Sequence, residues 1–310
     1  MSGRSQKPVS AEARGVRQAL LDAVQQWPAG DQGFDEAVPG LRVVREKESA
    51  FRIGRVLQPS ITLVVQGLRQ MTIGSSSFTI RGFGLLVTSL PLPVTVDLST
   101  AGGDERYLAV EAIIDTDLLE QVRSDLTGRV SDTSSSISLA ADAPAWMLDC
   151  LTRMLGLSGE DHPAAALVEL IRKELLVRLL GDTLGTGLHQ LAVDGSHVNR
   201  VYRAIKYIGE RFRQQLVISD LATYCGWSPS SLHHHFRSLT STTPLQFQQF
   251  LRLSEARQLL LTAQVQASEA ARQVGYSSAN QFNREYRRLF GVPPMTSVKS
   301  MPRYLKGDLK

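Results

Sequence analysis

The sequence has little cysteine, few aromatic residues and no long hydrophobic segment. Only two cysteines, Cys150 and Cys225, occur in 310 residues, which argues against a disulfide framework and favours a reducing, cytoplasmic compartment. No apolar run approaches the roughly 18 residues that span a bilayer, and no hydrophobic segment follows the charged N-terminus. We therefore expect a cytoplasmic protein with no signal peptide and no membrane partner.

Several residue patterns that carry catalytic or metal chemistry are also missing. Residues 1–161 contain no histidine, and neither GxxxxGK[ST] nor GxGxxG occurs. The three consecutive histidines His233, His234 and His235 point about 100° apart on a helix, so they cannot converge on one ion. We predict that the first two face outward and that His235 turns towards the core. No catalytic residue, metal or cofactor is expected, and no cofactor-binding residue can be named.

Charge divides the chain into two unlike parts. Residues 196–310 hold 16 lysines and arginines against 6 aspartates and glutamates, whereas residues 1–195 hold 18 against 24. A basic domain attracts a polyanion and releases its counterions, which favours nucleic acid as a partner. A solvated basic surface without a partner is the alternative that charge alone leaves open.

The first half of the chain shows the spacing of a β-rich domain. An amphipathic helical pattern in the first 40 residues is followed by short β-type segments punctuated by glycine and proline. These segments are Arg42–Val44, Ile61–Val65, Gln70–Ile73, Phe78–Ile80, Leu85–Thr88, Val94–Leu98 and Leu108–Ile114. Short strands at this spacing, without helices between them, predict an antiparallel sandwich or barrel.

Helical periodicity begins after residue 116, with a polar break at 131–138 and strong helices at about 143–157 and 163–180. The second helix carries an aliphatic stripe of Leu167, Leu170, Ile171, Leu175, Leu176 and Leu179. This stripe packs within its own domain or against a second copy of the chain, and both interpretations stay open. The glycine-rich stretch 181–196 is predicted to be a linker.

The last part of the chain contains an internal repeat. One copy runs from Ser219 through Gly226, Trp227 and Ser228, and the other from Ser268 through Gly275, Tyr276 and Ser277. In each, a short helix ends at a glycine that permits a left-handed turn, and a serine that can cap the next helix follows. This order is typical of helix-turn-helix units, which we place at about residues 217–239 and 267–290.

Helix phase predicts the exposed face of each second helix. The exposed positions are Ser230, His233, His234 and Arg237 in the first copy and Asn280, Asn283, Arg284 and Arg287 in the second, with Ala279 at the margin. Neither face carries a carboxylate, and arginine and asparagine can recognise guanine and adenine in the major groove. A helix of 17 residues joins the copies and spans roughly 25 Å, which suits two recognition helices near one turn of DNA apart.

Longer motifs in this region resemble the AraC/XylS family of transcriptional regulators. The resemblance covers about residues 198–300 and rests on Arg252–Leu260, Val274–Ser277 and Phe282–Pro294. It implies a seven-helix DNA-binding domain whose base-contacting positions match Ser230, His233 and His234, then Ala279, Asn280, Asn283 and Arg284. The sequence departs from the family pattern at Ala270, where a larger aliphatic residue is usual, and at Pro293, where threonine is usual.

A weaker resemblance to the AraC-type N-terminal domain covers about residues 40–210. It rests on Pro59–Gly67, Leu86–Val94 and Leu170–Gly181, and it implies a cupin-like barrel that senses an effector, followed by helices that can dimerise. The predicted fold class is thus α+β and multidomain. We place an N-terminal cupin-like antiparallel β-barrel in residues 1–140, a helical dimerisation segment and linker in 141–195, and an all-α double helix-turn-helix domain in 196–310.

These observations predict a sequence-specific DNA-binding transcription regulator that is not an enzyme. Its expected partners are double-stranded operator DNA, RNA polymerase if it activates transcription, a small-molecule effector in the barrel, and a second copy of the chain. Two alternatives stay open: a cupin-type enzyme fused to a DNA-binding domain, and a regulator that needs no ligand. The effector, the operator and the direction of regulation cannot be derived from the sequence.

Overall fold

The computed structural model describes residues 11–27, 34–46, 52–97, 107–126, 135–157, 162–263 and 265–296. A β-rich N-terminal half is followed by helices. The strands are β1 (Phe34–Val38), β2 (Leu41–Glu46), β3 (Arg52–Leu57), β4 (Ser60–Gln66), β5 (Leu68–Ile73), β6 (Ser76–Arg81), β7 (Leu85–Thr88), β8 (Leu92–Asp97), β9 (Tyr107–Ile113) and β10 (Ile137–Ala140). The predicted α+β fold class is therefore confirmed.

The strands form two antiparallel sheets. The first has the order β1-β2-β9-β4-β7-β10 and the second has the order β3-β8-β5-β6. Alternation is clear in β5, where Arg69, Met71 and Ile73 are buried and the residues between them are half-buried. Since successive side chains of a strand point to opposite faces, one face of the second sheet lines the space between the sheets and the other faces away.

Helices cover the first sheet and continue into the C-terminal half. They are α1 (Ala11–Gln26), α2 (Thr116–Ser124), α3 (Ala145–Gly156), α4 (His162–Leu180), α5 (Thr186–Leu191), α6 (His197–Arg211), α7 (Ile218–Tyr224), α8 (Pro229–Thr240), α9 (Pro244–Thr262), α10 (Ala267–Gln273) and α11 (Ala279–Phe290). Arg45 of β2 donates hydrogen bonds to the carbonyl of Val24, in the last turn of α1, and to that of Trp27, the residue after this helix. These bonds satisfy carbonyl groups that have no partner within the helix.

Three strands and one helix differ from the sequence-based prediction. β1, β3 and β10 were not predicted, and β10 occupies part of the expected polar break at 131–138, of which 131–134 lie outside the described residues. Strand β10 pairs with β7, and this pairing supplies backbone hydrogen bonds that the local composition does not predict. The expected linker is folded, because Thr183–Gly185 forms a 3-10 turn and α5 buries Leu188 and Leu191.

The aliphatic stripe of α4 is split between two environments. Ile171, Leu175, Leu176 and Leu179 are buried in the chain's own core, so for these four residues the first of the two open interpretations, packing within the chain, applies. Leu167 and Leu170 are exposed, at 46% and 61% of their surface. Helix α4 packs against α2 and α3 on one side, which accounts for the buried half of the stripe.

Candidate nucleic-acid interface

Two helix-turn-helix units lie at the positions that the internal repeat predicts. Helices α7 and α8 form the first unit, and α10 and α11 form the second. The turns contain Gly226 and Gly275, whose φ angles of +67° and +92° lie in the left-handed region. A side chain at Gly275 would also overlap the backbone of Arg213, so the second turn requires glycine on two grounds.

Serine side chains cap both second helices. Ser228 Oγ accepts a hydrogen bond from the Ser231 amide at 3.2 Å, and Ser278 Oγ accepts one from the Gln281 amide at 3.3 Å. In the second unit the cap is therefore Ser278 and not Ser277, the first serine after the aromatic residue. The second turn is one residue longer than the first, counted from the glycine to the buried aliphatic or aromatic residue of the next helix.

Apolar side chains hold each second helix in place. Leu232, Phe236 and Leu239 of α8 are buried, as are Phe282, Tyr286 and Phe290 of α11. Phe236 meets Phe247 of α9 edge to face, with ring centroids 5.8 Å apart. The opposite face of each helix is left to solvent.

That solvent face carries the predicted DNA-binding residues. The exposed ones are Ser230, His234 and Arg237 of α8 and Ala279, Asn280, Asn283, Arg284 and Arg287 of α11, whereas His233 is half-buried. Among the described residues, Arg237, Arg284 and Arg287 form no ion pair, so their guanidinium groups are available to an anion. No carboxylate shares either face.

The single acidic residue of α11 lies elsewhere on the helix. Glu285 accepts a hydrogen bond from the Tyr276 hydroxyl at 2.7 Å and another from Gln281 Nε2 at 3.0 Å. Burial of Tyr276, together with this bond to Glu285, raises the pKa of the phenol well above its usual range. The pair ties the turn of the second unit to its recognition helix.

The three consecutive histidines differ in exposure: His234 faces solvent as predicted, whereas His233, which was predicted to face outward, is half-buried like His235. His235 is half-buried and stacks between His197 and Trp227, with ring centroids 4.0 Å and 4.9 Å away. Burial lowers the pKa of His235 below its usual range, and the charges of His197, His234 and Arg200 lower it further. Among the described residues no group of three histidine, cysteine or acidic side chains is arranged to hold a metal ion.

Polar side chains of α9 connect the second unit to the segment between α6 and α7. Arg252 donates to the carbonyls of Phe212, Gln214 and Gly275 at 2.6, 2.7 and 3.0 Å, so one guanidinium joins the end of α6 to the second turn. Gln248 donates to the Phe212 and Gln214 carbonyls as well, at 3.0 and 2.6 Å. These bonds fix the orientation of the second unit relative to the segment that follows α6.

A polar cluster that the sequence analysis missed lies between the two sheets. Glu111 of β9 is 5% exposed and lies 3.9 Å from Arg55 of β3, which belongs to the other sheet. The guanidinium of Arg69 in β5 lies over the Tyr107 ring of β9 at 3.9 Å. Because both contacts cross from one sheet to the other, these side chains lie in the space between the two sheets, which together form the barrel. The sequence did contain a signal for this cluster, because Arg69 and Glu111 are charged residues at positions where the alternation of their strands predicts burial.

Both cysteines are buried, as expected of structural thiols. Burial raises the pKa of Cys150 and of Cys225 above its usual value. A protonated, buried thiol is a poor nucleophile and a poor redox sensor.

Two family models match the chain. The AraC-type transcriptional regulator N-terminus matches residues 37–186, and a helix-turn-helix domain matches residues 221–299. Together they cover more than half of the chain. The N-terminal part of the chain thus matches AraC-type transcriptional regulators, and its C-terminal part matches a helix-turn-helix domain.

Curated relatives agree over shorter lengths. The raffinose operon transcriptional regulatory protein RafR of Pediococcus pentosaceus is 31% identical over 98 residues, which are 32% of this chain and 35% of RafR. The transcriptional activator RhaS of Escherichia coli O139:H28 is 26% identical over 134 residues, 43% of this chain and 46% of RhaS. The chain thus spans less than half the length of these relatives.

Solved structures share the whole fold. Ligand-free ToxT of Vibrio cholerae superposes with a TM-score of 0.57 at 11% identity, covering 86% of this chain and 100% of ToxT. Wild-type ToxT with a bound unsaturated fatty acid gives a TM-score of 0.57 at 12% identity, covering 84% and 95%. At these identities the comparison shows a common fold.

Among the described residues, no helix is long and apolar enough to cross a membrane.

Proposed function

We propose that the protein is a sequence-specific DNA-binding transcription regulator that acts in the cytoplasm and is not an enzyme. This proposal rests on the exposed faces of α8 and α11. Both faces lack carboxylates, and each presents at least one guanidinium group that forms no ion pair among the described residues. Helix α9, at 19 residues and about 28 Å, is long enough to hold α8 and α11 in successive major grooves. Ser230, His233, His234, Ala279, Asn280, Asn283 and Arg284 are then the base-reading positions.

A selection from random DNA duplexes with the full chain tests this function. The expected result is one enriched motif with two half-sites about one helical turn apart, bound with an affinity that falls steeply with salt. The double variant Asn280→Ala/Arg284→Ala is expected to lose the second half-site and keep the first. Binding without sequence preference, equal in both proteins, would contradict sequence-specific recognition.

We infer that a small molecule in the barrel controls this activity. The interior cluster places the Arg55 guanidinium near the buried carboxylate of Glu111 and the buried guanidinium of Arg69 over the Tyr107 ring, and charged groups are rarely buried where packing alone is needed. Arginine pairs well with carboxylates, so a carboxylate is the effector chemistry that we favour. ToxT, which shares the fold, was solved with an unsaturated fatty acid, which makes a fatty acid the first compound to try.

Native mass spectrometry with a fatty acid such as palmitoleate tests the barrel site. One bound molecule without conversion is expected, with Arg55→Met weakening the complex and Arg81→Met, on the exposed surface, leaving it unchanged. Conversion of the compound would support a cupin-type enzyme. No binding of any compound, with DNA binding intact, would support a regulator that needs no ligand.

We also propose that two copies associate through the exposed side of α4. Leu167, Leu170 and Val177 remain exposed there, at 46%, 61% and 43%. Leu170→Glu is expected to yield a folded monomer in sedimentation experiments, with Arg178→Glu as an exposed control on the same helix. An unchanged dimer in Leu170→Glu would place the interface elsewhere. If the regulator activates transcription, RNA polymerase is a further partner.

A further inference from the structure

A cavity of about 320 Å³ lies between α2, the turn that follows α5, and α6. A cavity of this volume is large enough for a small metabolite. Helix α6 lines it with one face, because the residues that it contributes lie three, four and seven positions apart: Asn199, Tyr202, Arg203 and Lys206. This face extends for roughly 10 Å along the helix axis, so a ligand that touches both of its ends is elongated.

The walls of the cavity carry charges of both signs. The carboxylates are those of Asp117 and Glu120 on α2 and of Asp194 after α5, and the cations are Arg203 and Lys206 on α6. All five side chains are exposed, and none forms an ion pair among the described residues. Arg203 donates one hydrogen bond to a backbone carbonyl, at 3.4 Å, and keeps its other donors. Acidic and basic groups thus line one space without neutralising each other, which favours a ligand that carries both charges.

The lining also contains a buried acceptor that the protein leaves unused. Asn199 Nδ2 donates to the Leu191 carbonyl at 3.0 Å, which fixes the orientation of the amide. Asn199 Oδ1 is buried and accepts no hydrogen bond. Since a buried acceptor without a donor costs free energy, an N–H group of a ligand at this end of α6 stabilises the site.

The charge balance defines the ligand further. Three carboxylates exceed two cations, so the lining favours a ligand with more positive than negative groups. Within the part of the chain that the structure describes, no three acidic, histidine or cysteine side chains are arranged to hold a metal ion. The carboxylates therefore suit separate ammonium groups. A molecule with one carboxylate and two ammonium groups matches this lining.

We propose that this cavity binds a basic amino acid of the size of lysine. Its carboxylate accepts hydrogen bonds from Arg203 and Lys206. Its α-ammonium donates to Asn199 Oδ1, and its side-chain ammonium reaches Asp117 and Glu120. The site is separate from the barrel cluster and does not depend on the proposed DNA-binding function. Because α2 belongs to the N-terminal half and α6 to the C-terminal half, the bound amino acid stabilises the arrangement of the two halves.

Titration calorimetry of the full chain tests the proposal with free lysine, ornithine and arginine. Three analogues of lysine each lack one charged group: norleucine lacks the side-chain ammonium, cadaverine the carboxylate and 6-aminohexanoate the α-ammonium. At least one basic amino acid is expected to bind at a stoichiometry of one. Each analogue should bind at least about tenfold more weakly than lysine, consistent with the loss of a hydrogen bond between charged groups.

Two variants locate the ligand through crossed effects. Lys206→Met should weaken lysine about tenfold and leave the residual affinity of cadaverine, which has no carboxylate, unchanged. Asp117→Asn should weaken lysine by a similar factor and leave norleucine unchanged. Arg211→Met at the end of α6 and Asp125→Asn after α2 are matched controls outside the cavity, and both should bind like the wild type.

Three results would overturn the proposal. If none of the basic amino acids binds the wild type, the cavity does not take this ligand class. If norleucine or cadaverine binds as tightly as lysine, the charges of the two walls do not select the ligand. If Arg55→Met inside the barrel abolishes lysine binding while Lys206→Met and Asp117→Asn retain it, the ligand occupies the barrel and not this cavity.

Discussion

The two helix-turn-helix units share one plan but are anchored differently. The first unit buries Leu221, Leu232 and Phe236 in a core that continues without a break into the N-terminal domain. The second unit has a separate core, built from α9, α10 and α11 around Phe282 and Tyr286. It meets the barrel through the ring of Phe290 at Gly54.

This difference assigns different freedom to the two recognition helices. Moving α8 requires rearranging the core of the whole chain, because Ser136 also donates a hydrogen bond to the Leu239 carbonyl at the end of that helix. The second unit, which includes α11, has its own core, and its links to the rest of the chain include the contact of Phe290 with Gly54 and the hydrogen bonds that Arg252 donates to Phe212 and Gln214. An effector that changes the barrel can therefore shift the second unit at lower cost than the first.

The largest expected effect comes from a matched pair in the two scaffold helices. Leu221 of α7 and Ala270 of α10 occupy equivalent repeat positions, and both are fully buried. Leu221→Ala leaves a cavity in the continuous core and is expected to cost about 2–5 kcal/mol of unfolding free energy. Ala270→Leu overfills the smaller core and should cost about 1–3 kcal/mol.

Urea unfolding, followed by fluorescence and by far-UV circular dichroism, measures both variants. Leu221→Ala should shift the main transition, whereas Ala270→Leu should produce an early transition that involves only the second unit. A gain in stability for Ala270→Leu would mean that the second core holds a void at this position, where a larger aliphatic residue is usual in the family.

A smaller effect is expected on the recognition face of the second unit. Arg284→Ala should cost about 1–3 kcal/mol at the preferred DNA site and relax base preference at one position. Arg287→Ala, one turn further along α11, should weaken all sequences alike and lower the salt slope by about one. Operator selection at two salt concentrations separates these outcomes. Unchanged base preference in Arg284→Ala would make Arg284 a phosphate contact and the second unit an anchor.

The first unit should respond more weakly to the equivalent change. His234 matches Arg284, but a neutral imidazole offers one donor where a guanidinium offers five. His234→Ala is therefore expected to cost about 0.5–1.5 kcal/mol at the specific site. The same selection tests this. A cost above that of Arg284→Ala would make the first unit the dominant reader.

The helical half could be predicted closely because its signals are local. Glycine turns, capping serines and the spacing of Leu232, Phe236 and Leu239 depend on residues a few positions apart. Each position predicted for the exposed face of α11 is exposed, although Gln281 and Arg288, which are exposed as well, were not predicted. Ser278 was mistaken for a residue after the cap because the second turn has one additional residue, and the repeat alone does not show which serine begins the helix.

The barrel half could be predicted only in outline, because its decisive contacts join distant segments. Strand β10 has only four residues, follows a serine-rich segment and becomes a strand by pairing with β7, about 50 residues earlier. Arg55 and Glu111 meet because β3 and β9 face each other across the barrel, and no spacing in the sequence encodes that meeting. The folded segment 181–196 was expected to be a linker because it is rich in glycine. Glycine is found both in flexible segments and where the backbone packs closely, and Gly185 and Gly187 are of the second kind.

The smallest expected effect is a pH dependence confined to the first unit. All six histidines precede residue 236, so the second unit contains none. Burial lowers the pKa of His235, and His197, His234 and Arg200 lower it further. In the unfolded chain the imidazole takes up its proton near the ordinary value of about 6.5. As the pH falls below that value the unfolded state binds more protons, so the unfolding free energy must decrease.

His235→Phe keeps a ring in the stack between His197 and Trp227 but removes the titrating group. Urea unfolding at pH 7.5, 6.5 and 5.5 should show a loss of stability for the wild type towards acid and a smaller loss for the variant. His233→Phe, on the same helix and outside the stack, is the control and should retain the wild-type slope. Equal slopes for the wild type and His235→Phe would mean that the stack tolerates a charged imidazole, and the first unit would then owe its firmer anchoring to its continuous core alone.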